Sequence, residues 1–167
     1  DAYAIGAGAS AAGQGSYAIG SFARDTSTNL PTSVVTKAEG DFSFAIGLGA
    51  KSTGAASMSL GANTLSSGAF SNTLGFYSVS SGDRALALGT FATASGYGSV
   101  ALGYKNVSSG GLSFSAGVGS TSAGYASIAL GAYCKALGNK TVAMGEDSEA
   151  NGYGSFAMGK SAEALTG

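Results

Sequence analysis

Large and small residues alternate along the chain in short stretches that end in a glycine. Residues 99–103 read Ser-Val-Ala-Leu-Gly, and residues 155–159 read Ser-Phe-Ala-Met-Gly. Within each stretch every second residue is Ser, Ala or Gly, and the residues between them are large and apolar. We call these two alternating sets of positions the two parities of the stretch. An alternation with a period of two residues predicts a β-strand whose two parities lie on opposite faces.

These stretches recur with a fixed period. Their closing glycines stand at positions 6, 20, 47, 61, 75, 89, 103, 117, 131, 145 and 159, so every step except that from 20 to 47 is identical. A second glycine follows half a period after most of them, as at 54, 68, 82, 96 and 110. Two glycines half a period apart indicate two turns per repeat. A repeat of this length predicts one rung of a solenoid.

Each rung is predicted to contain two strands of roughly five residues. Rungs stack in parallel about 4.8 Å apart, and a rung of this length is only about 17 Å across. The two small faces must therefore point at each other, because the interior has no room for Leu or Phe. The outward parity of the second strand is mostly polar, with Lys51, Thr93, Lys135, Glu149 and Glu163. The predicted fold is an all-β parallel β-roll.

The large parity of the first strand then points outward and forms a continuous apolar stripe. About eleven rungs at about 4.8 Å give a stripe on the order of 50 Å long, which is more apolar surface than soluble monomers tolerate. We expect further copies of the chain to cover it. The periodicity leaves open whether two, three or four chains associate. The predicted interface residues are Tyr17, Ile19, Phe44, Ile46, Leu86, Leu88, Val100, Leu102, Ile128, Leu130, Val142, Met144, Phe156 and Met158.

One segment interrupts the period. The step from Gly20 to Gly47 falls one position short of two full repeats, and segment 21–43 contains the only proline and a cluster of charged residues. We predict a loop over about 21–43 that bulges from an otherwise regular rung. The chain is then a single β-roll over 1–167, with its repeats in 1–20 and 44–167.

Composition excludes several classes of function. The chain has no His and a single Cys, so it has no Ser-His-Asp or Cys-His pair, no His/Cys zinc site and no intrachain disulfide. We therefore expect no enzymatic activity, catalytic residue, metal or cofactor. Charged residues make up 10% of the chain and the net charge is -1, which argues against nucleic acid as a partner. No run of about 18 apolar residues is present to span a bilayer.

The repeats resemble the YadA-like head of trimeric autotransporter adhesins, whose repeat is Asn-Ser-Val-Ala-Ile-Gly followed by a spaced Ser, Ala and Gly. Residues 98–103 (Gly-Ser-Val-Ala-Leu-Gly), 126–131 and 154–159 are similar to it, although the first Asn is mostly replaced by Gly or Ala. The resemblance implies a left-handed roll, a homotrimer and a coiled-coil stalk above a bacterial outer membrane. It also implies adhesion to matrix proteins such as collagen or fibronectin, to cells or to abiotic surfaces. No heptad segment follows Gly167, so we expect a head portion that reaches the membrane only through a stalk and anchor.

Candidate ligand-binding residues are few. Tyr97, Tyr125 and Tyr153 are spaced by two periods and fall in one column on alternate rungs, where they could bind protein or glycan or pack against a neighbouring chain. Arg24 and Lys37 lie in the predicted loop, and loops on rigid scaffolds often carry specificity. We expect Cys134 to be a small buried filler, and the acidic residues near 146–149 to pair with Lys135 and Lys160 on neighbouring rungs.

Three other classes of protein are compatible with a solenoid of short repeats. A hexapeptide-repeat acyltransferase has a period of six and normally a catalytic His, and the chain has neither. An ice-binding solenoid presents a flat array of Thr, whereas Thr is scattered here. A purely structural spacer or fibre segment without its own ligand is the serious alternative to an adhesin head.

Overall fold

The computed structural model describes residues 1–25 and 27–165, which form a parallel β-solenoid. Two eleven-stranded sheets face each other, one built from the odd-numbered strands and one from the even-numbered strands. The odd strands, called the long strands, are β1 Tyr3–Ile5, β3 Tyr17–Ser21, β5 Phe44–Leu48, β7 Met58–Ala62, β9 Asn72–Phe76, β11 Leu86–Thr90, β13 Val100–Tyr104, β15 Phe114–Val118, β17 Ile128–Ala132, β19 Val142–Glu146 and β21 Phe156–Lys160. The even strands, called the short strands, are β2 Ser10–Ala11, β4 Lys37–Ala38, β6 Lys51–Ser52, β8 Leu65–Ser66, β10 Val79–Ser80, β12 Thr93–Ala94, β14 Val107–Ser108, β16 Thr121–Ser122, β18 Lys135–Ala136, β20 Glu149–Ala150 and β22 Glu163–Ala164.

Equivalent residues of successive rungs pair directly. Leu86 pairs with Val100 and Leu88 with Leu102 in the long-strand sheet, and every such pair is parallel. In the short-strand sheet Val79 pairs with Thr93. The period of the sequence is therefore the register of both sheets. Amides of the strands donate to the next rung, as Phe44 does to the carbonyl of Ser57 at 2.9 Å and Lys51 to that of Thr64 at 2.8 Å. No helix in the described ranges could cross a membrane.

The interior is narrow and filled by small side chains, as the alternation predicts. Ala87, Ala101 and Ala129 of the long strands are fully buried, and so is Ala94 of the short strands. Some buried hydroxyl groups bond across the roll, as where Ser108 Oγ lies 2.7 Å from Ser115 Oγ on the opposite sheet, whereas others such as Ser80 Oγ have no hydrogen-bond partner. Such bonds offset the cost of burying polar groups, so serine and alanine alternate freely as core residues.

The two glycine columns are explained by close contact between rungs. At Gly89, φ is +139° and an added Cβ would lie 2.0 Å from the carbonyl oxygen of Gly103. At Gly82 an added Cβ would lie 2.1 Å from the carbonyl oxygen of Gly96. Any side chain at either position would push neighbouring backbones apart, so both columns require glycine throughout the stack.

The short strands are shorter than predicted. The expectation of two strands of roughly five residues holds for most of the long strands, but each short strand has two residues. A turn follows at once, in which the amide of Ser57 donates to the carbonyl of Gly54 and Ala56 adopts a left-handed conformation with φ +52°. The rung therefore has one extended side and one side that is mostly turn.

The irregular loop is also shorter than the predicted 21–43. Strand β3 continues through Ser21, and β4 is already in register with its neighbours at Lys37–Ala38. Thr36 closes the rung, because its buried Oγ1 donates to the carbonyl of Gly47 at 2.7 Å. Residues 22–35 thus stand where the next rung has only one residue, Gly49. The charged residues at 37–41 misled the prediction, since they belong to the outer face of a regular rung.

Candidate interaction surfaces

The long-strand sheet presents an apolar outer face, which we call the apolar stripe. All fourteen predicted interface residues lie on this face, because they occupy the outward parity of β3, β5, β11, β13, β17, β19 and β21. Eight of them are exposed at 36–64% of their surface, namely Tyr17, Ile19, Phe44, Ile46, Leu88, Ile128, Phe156 and Met158. The others, Leu86, Val100, Leu102, Leu130, Val142 and Met144, are partly buried by their neighbours on the stripe. Their role in a trimer stays a prediction.

In-register pairing turns the first rungs of the stripe into an aromatic stack. The ring centroids of Tyr3 and Tyr17 are 5.1 Å apart, and those of Tyr17 and Phe44 are 5.0 Å apart with planes 7° from parallel. Asn72 and Ala116 occupy the same face farther along and weaken its apolar character. The stripe is therefore continuous in geometry and less apolar at these two rungs.

Tyr97, Tyr125 and Tyr153 lie together at one corner of the roll, where a short strand turns into the next long strand. We call this set the tyrosine corner. The three side chains are exposed at 52%, 52% and 65%. Arg84 donates a hydrogen bond to the Tyr97 hydroxyl and its guanidinium lies 5.3 Å from the ring centroid. Lys140 lies 5.4 Å from the Tyr153 ring centroid. Sequence reasoning found the tyrosines but missed these cations, each of which stands almost one full repeat earlier in the chain than its tyrosine.

Arg24 and Lys37 do not join the tyrosine corner. Lys37 lies on the outer face of β4, where its Nζ is 3.2 Å from Glu39 Oε1. Arg24 lies in the loop 22–35, which it helps to fold by donating from Nη1 to the carbonyl of Asn29 at 2.7 Å and by pairing with Pro31 across an antiparallel bridge. The two residues therefore belong to different surfaces.

The loop 22–35 borders an open pocket that the sequence did not predict. The cavity has a volume of about 270 Å³ and lies between the loop and the third outward position of the long strands. Leu48, Ala62 and Phe76 form its floor, and the rim residues are Arg24, Asp25, Asn29 and Asn63. The floor residues directly follow the closing glycines of their strands and continue the outward-facing positions. Extending the alternation by one residue beyond each glycine would have predicted them.

The carboxylate of Asp25 organises the loop. It accepts hydrogen bonds from the amides of Ser27 at 2.9 Å and Thr28 at 2.7 Å, and from both hydroxyl groups. These bonds favour the charged form, led by the Ser27 hydroxyl, and hold the pKa of Asp25 well below its ordinary value. The residue is therefore a turn former at the pocket rim.

The predicted charge pairs between rungs are confirmed. Lys135 Nζ lies 3.3 Å from Glu149 Oε2, and Lys160 Nζ lies 3.4 Å from Glu146 Oε1. Within residues 1–25 and 27–165, no group of three or more acidic or Cys residues is arranged to hold a metal ion.

Cys134 is fully buried and free, as predicted for a small filler. Its Sγ donates to the carbonyl of Gly145 at 3.2 Å. The thiol therefore replaces the hydroxyl that serine provides at the same column in other rungs, as Ser148 Oγ does by donating to the carbonyl of Gly159 at 2.7 Å.

A sequence model of the YadA head domain repeat matches residues 1–23, 36–50, 80–106 and 136–162, which is more than half of the chain. The chain belongs to this family. The matched segments stop and resume at the two ends of the loop. A search of curated proteins found no match.

Membership in the YadA head family implies an adhesin-type function of the kind found in trimeric autotransporters. Domains of this family are surface-exposed and generally non-catalytic. The expected roll is thus supported both by its geometry and by the family.

Proposed function

We propose that the chain is the head of a bacterial surface adhesin that acts as a homotrimer of left-handed rolls and attaches to host matrix, cells or surfaces without chemistry. The observation that carries this proposal is the apolar stripe on a roll of the YadA head family. Exposed large residues such as Ile19, Ile46 and Met158 repeat along the whole length of one sheet. Contiguous apolar surface of this extent favours burial by another chain.

Burial of the stripe would leave the rest of each roll available. Three copies that pack their long-strand sheets together present three short-strand sheets, with Lys51, Lys135 and Glu149 on their outer faces, to solvent. Corners and loops would then make the contacts to a ligand. Each contact is weak, and three heads on one stalk raise the effective affinity by linking many such contacts. An outer-membrane anchor reached through a stalk completes the proposal.

A binding panel tests adhesion. The purified protein is applied to immobilised collagen, fibronectin, glycans and plastic, with mass measured in parallel by light scattering. We expect a mass three times that of the 16.0 kDa chain and saturable binding to at least one surface. A trimer that binds none of them would favour the alternative of a structural spacer. A monomeric particle at micromolar concentration would overturn the assembly itself.

The matched control for the panel is a variant of the loop. Replacing residues 22–35 by one glycine restores a rung of regular length, because Gly49 occupies the equivalent position in the next rung. Binding that depends on the loop is lost in this variant, whereas binding by the repeating surface is retained. Either result locates the adhesive surface as long as the mass stays unchanged.

A further inference from the structure

The tyrosine corner has a repeat of its own. Tyr97, Tyr125 and Tyr153 occupy the same position on alternate rungs, with Gly111 and Asn139 between them. Because equivalent residues stack in register, consecutive tyrosines are two rungs apart, or roughly 10 Å. All three are at least half exposed. The corner is thus a row of aromatic side chains with a spacing twice that of the strands.

Positive charges accompany this row in a repeated geometry. Arg84 precedes Tyr97 by the same number of positions as Lys140 precedes Tyr153, and each cation lies over the ring of its tyrosine at 5.3 and 5.4 Å. Leu112 takes the equivalent place before Tyr125. The hydrogen bond to Tyr153 raises the pKa of Lys140 above its ordinary value, so the ammonium stays charged. Both cations are exposed and retain donors for a ligand.

Acidic residues are absent from this part of the sequence. Residues 84–145 contain Arg84, Lys105, Lys135 and Lys140 but no Asp or Glu. Of the acids that follow this stretch, Glu146 lies 3.4 Å from Lys160, and Glu149 accepts from Lys135 at 3.3 Å and from Asn151 at 2.7 Å. Asp147 stands one repeat after Tyr133, at the other corner. Asp83 stands in the tyrosine column one rung before Tyr97, and its carboxylate accepts a hydrogen bond from the amide of Ala69 at 2.9 Å. From Tyr97 to Tyr153 the column itself contains no acid, so this part of the corner favours an anionic ligand.

We propose that the tyrosine corner binds a linear acidic polysaccharide with a repeat of two sugars. Tyrosine rings stack on the C–H faces of sugar rings, and Arg84 and Lys140 pair with the carboxylates of uronic acids. A site that repeats along a straight axis is complementary to a ligand that also repeats, and a span of two rungs corresponds to two sugars of an extended chain. A globular protein without internal repeats offers no such translational repeat. Two cations are also too few for a duplex nucleic acid.

The first experiment removes the rings. Wild-type protein and the triple variant Tyr97→Ser, Tyr125→Ser, Tyr153→Ser are titrated with hyaluronan and with alginate, both uronic-acid polymers. We expect the variant to weaken binding of at least one polymer by about tenfold or more. The matched control carries Tyr77→Ser, Tyr104→Ser and Tyr133→Ser, which are exposed tyrosines at or beside the other corner, and should bind like wild type. Absence of binding by wild type to both polymers would overturn the proposal, as would equal losses in the two triple variants.

The second experiment separates sugar stacking from charge. Replacing the three corner tyrosines by Phe keeps the rings and should retain binding within about threefold. The double variant Arg84→Gln, Lys140→Gln should weaken binding of the acidic polymers, while Lys51→Gln with Lys160→Gln should not. Dextran supplies a neutral sugar chain and polyglutamate an acidic chain without sugars. Binding of polyglutamate as tight as that of hyaluronan would overturn the role of the tyrosines.

This proposal rests on the proposed adhesin function in one respect, because the tyrosine corner must stay accessible in the assembled head. Light scattering on every variant distinguishes failure of the glycan site from failure of the adhesin function. If the Tyr→Ser triple variant dissociates the oligomer, the corner is an interface between copies and the glycan site is wrong, although the adhesin function stands. If all variants keep their mass and the polysaccharides do not bind, the glycan site fails alone.

Discussion

The two sheets of the roll share their inner faces and differ in their outer faces. Ala101 on a long strand and Ala94 on a short strand are both fully buried, and both stack on small residues above and below. Outside, the long strands present Leu88 and Leu102, and the short strands present Thr93 and Lys135. The backbone and the core are therefore alike on the two sides. The outward side chains alone distinguish an apolar face from a mostly polar one, although Leu65, Val79 and Val107 also lie on the polar face.

The largest expected effect comes from charging the apolar stripe. The double variant Ile46→Asp, Leu102→Asp places two carboxylates in a surface that we expect to be buried between copies, and unpaired buried charges cost several kcal/mol each. The oligomer should dissociate or fail to fold, as measured by light scattering and circular dichroism.

The matched control charges the short-strand sheet. Thr93→Asp with Thr121→Asp adds the same charge to the outer face of β12 and β16 and should leave mass and fold unchanged. If the stripe variant also keeps its mass, the difference between the two faces has no part in assembly.

A smaller effect separates the inner from the outer side of one strand. Ala129 and Ala132 both lie on β17, but Ala129 is fully buried and Ala132 faces outward. Ala129→Leu overpacks the narrow interior and should lower the free energy of unfolding by about 1–3 kcal/mol. Ala132→Leu should change it by less than about 0.5 kcal/mol. Urea denaturation measures both, and equal effects would contradict an interior limited by the width of the rung.

The loop gives a third contrast, between the one irregular rung and its regular neighbours. Replacing 22–35 by glycine exposes the pocket floor at Leu48 and Phe76 but breaks no pairing between the rungs. We expect the midpoint of thermal unfolding to change by a few degrees at most. A loss of cooperative unfolding in calorimetry would instead show that the loop stabilises the rungs on which it packs.

The smallest effect is expected on the polar sheet. The pKa of Glu149 lies below its ordinary value, because Asn151 and Lys135 donate hydrogen bonds to the carboxylate. A carboxyl whose pKa is lowered by folding adds stability above its unfolded pKa and loses it as the pH falls through its folded pKa. Glu149→Gln should therefore cost less than about 1 kcal/mol at pH 7 and nothing at strongly acidic pH. Urea unfolding at the two pH values measures the difference, and an equal cost at both would contradict the pairing.

Much of this architecture is predictable from the sequence because a solenoid is a local fold. Period, register, buried parity, the apolar stripe and the pairs Lys135–Glu149 and Lys160–Glu146 all follow from residues spaced by one repeat. The predicted length of the short strands was wrong, because the alternation continues past the two residues of each strand into residues such as Thr53 and Gly54. The predicted bounds of the loop were also too wide. Lys37 and Glu39 are charged and were assigned to the loop, but they lie on the outer face of a regular rung.

The candidate sites were only partly predictable. Tyr97, Tyr125 and Tyr153 form a column that the spacing of the sequence reveals. The positions of Arg84 and Lys140 over the tyrosine rings depend on backbone conformation, because both cations adopt a left-handed conformation with φ +58°. The pocket brings Arg24 and Asn29 over Phe76, which is far away in the chain.

The alternating pattern by itself determined that the chain stacks in parallel rungs with a thin core and one apolar outer face, because strand pleating and rung height convert spacing directly into position. Tertiary structure decided where each rung turns and how the loop 22–35 folds back onto its neighbours. It also decided which exposed rings receive a cation. Those features depend on backbone conformation and on side-chain reach between rungs, neither of which a repeat period specifies.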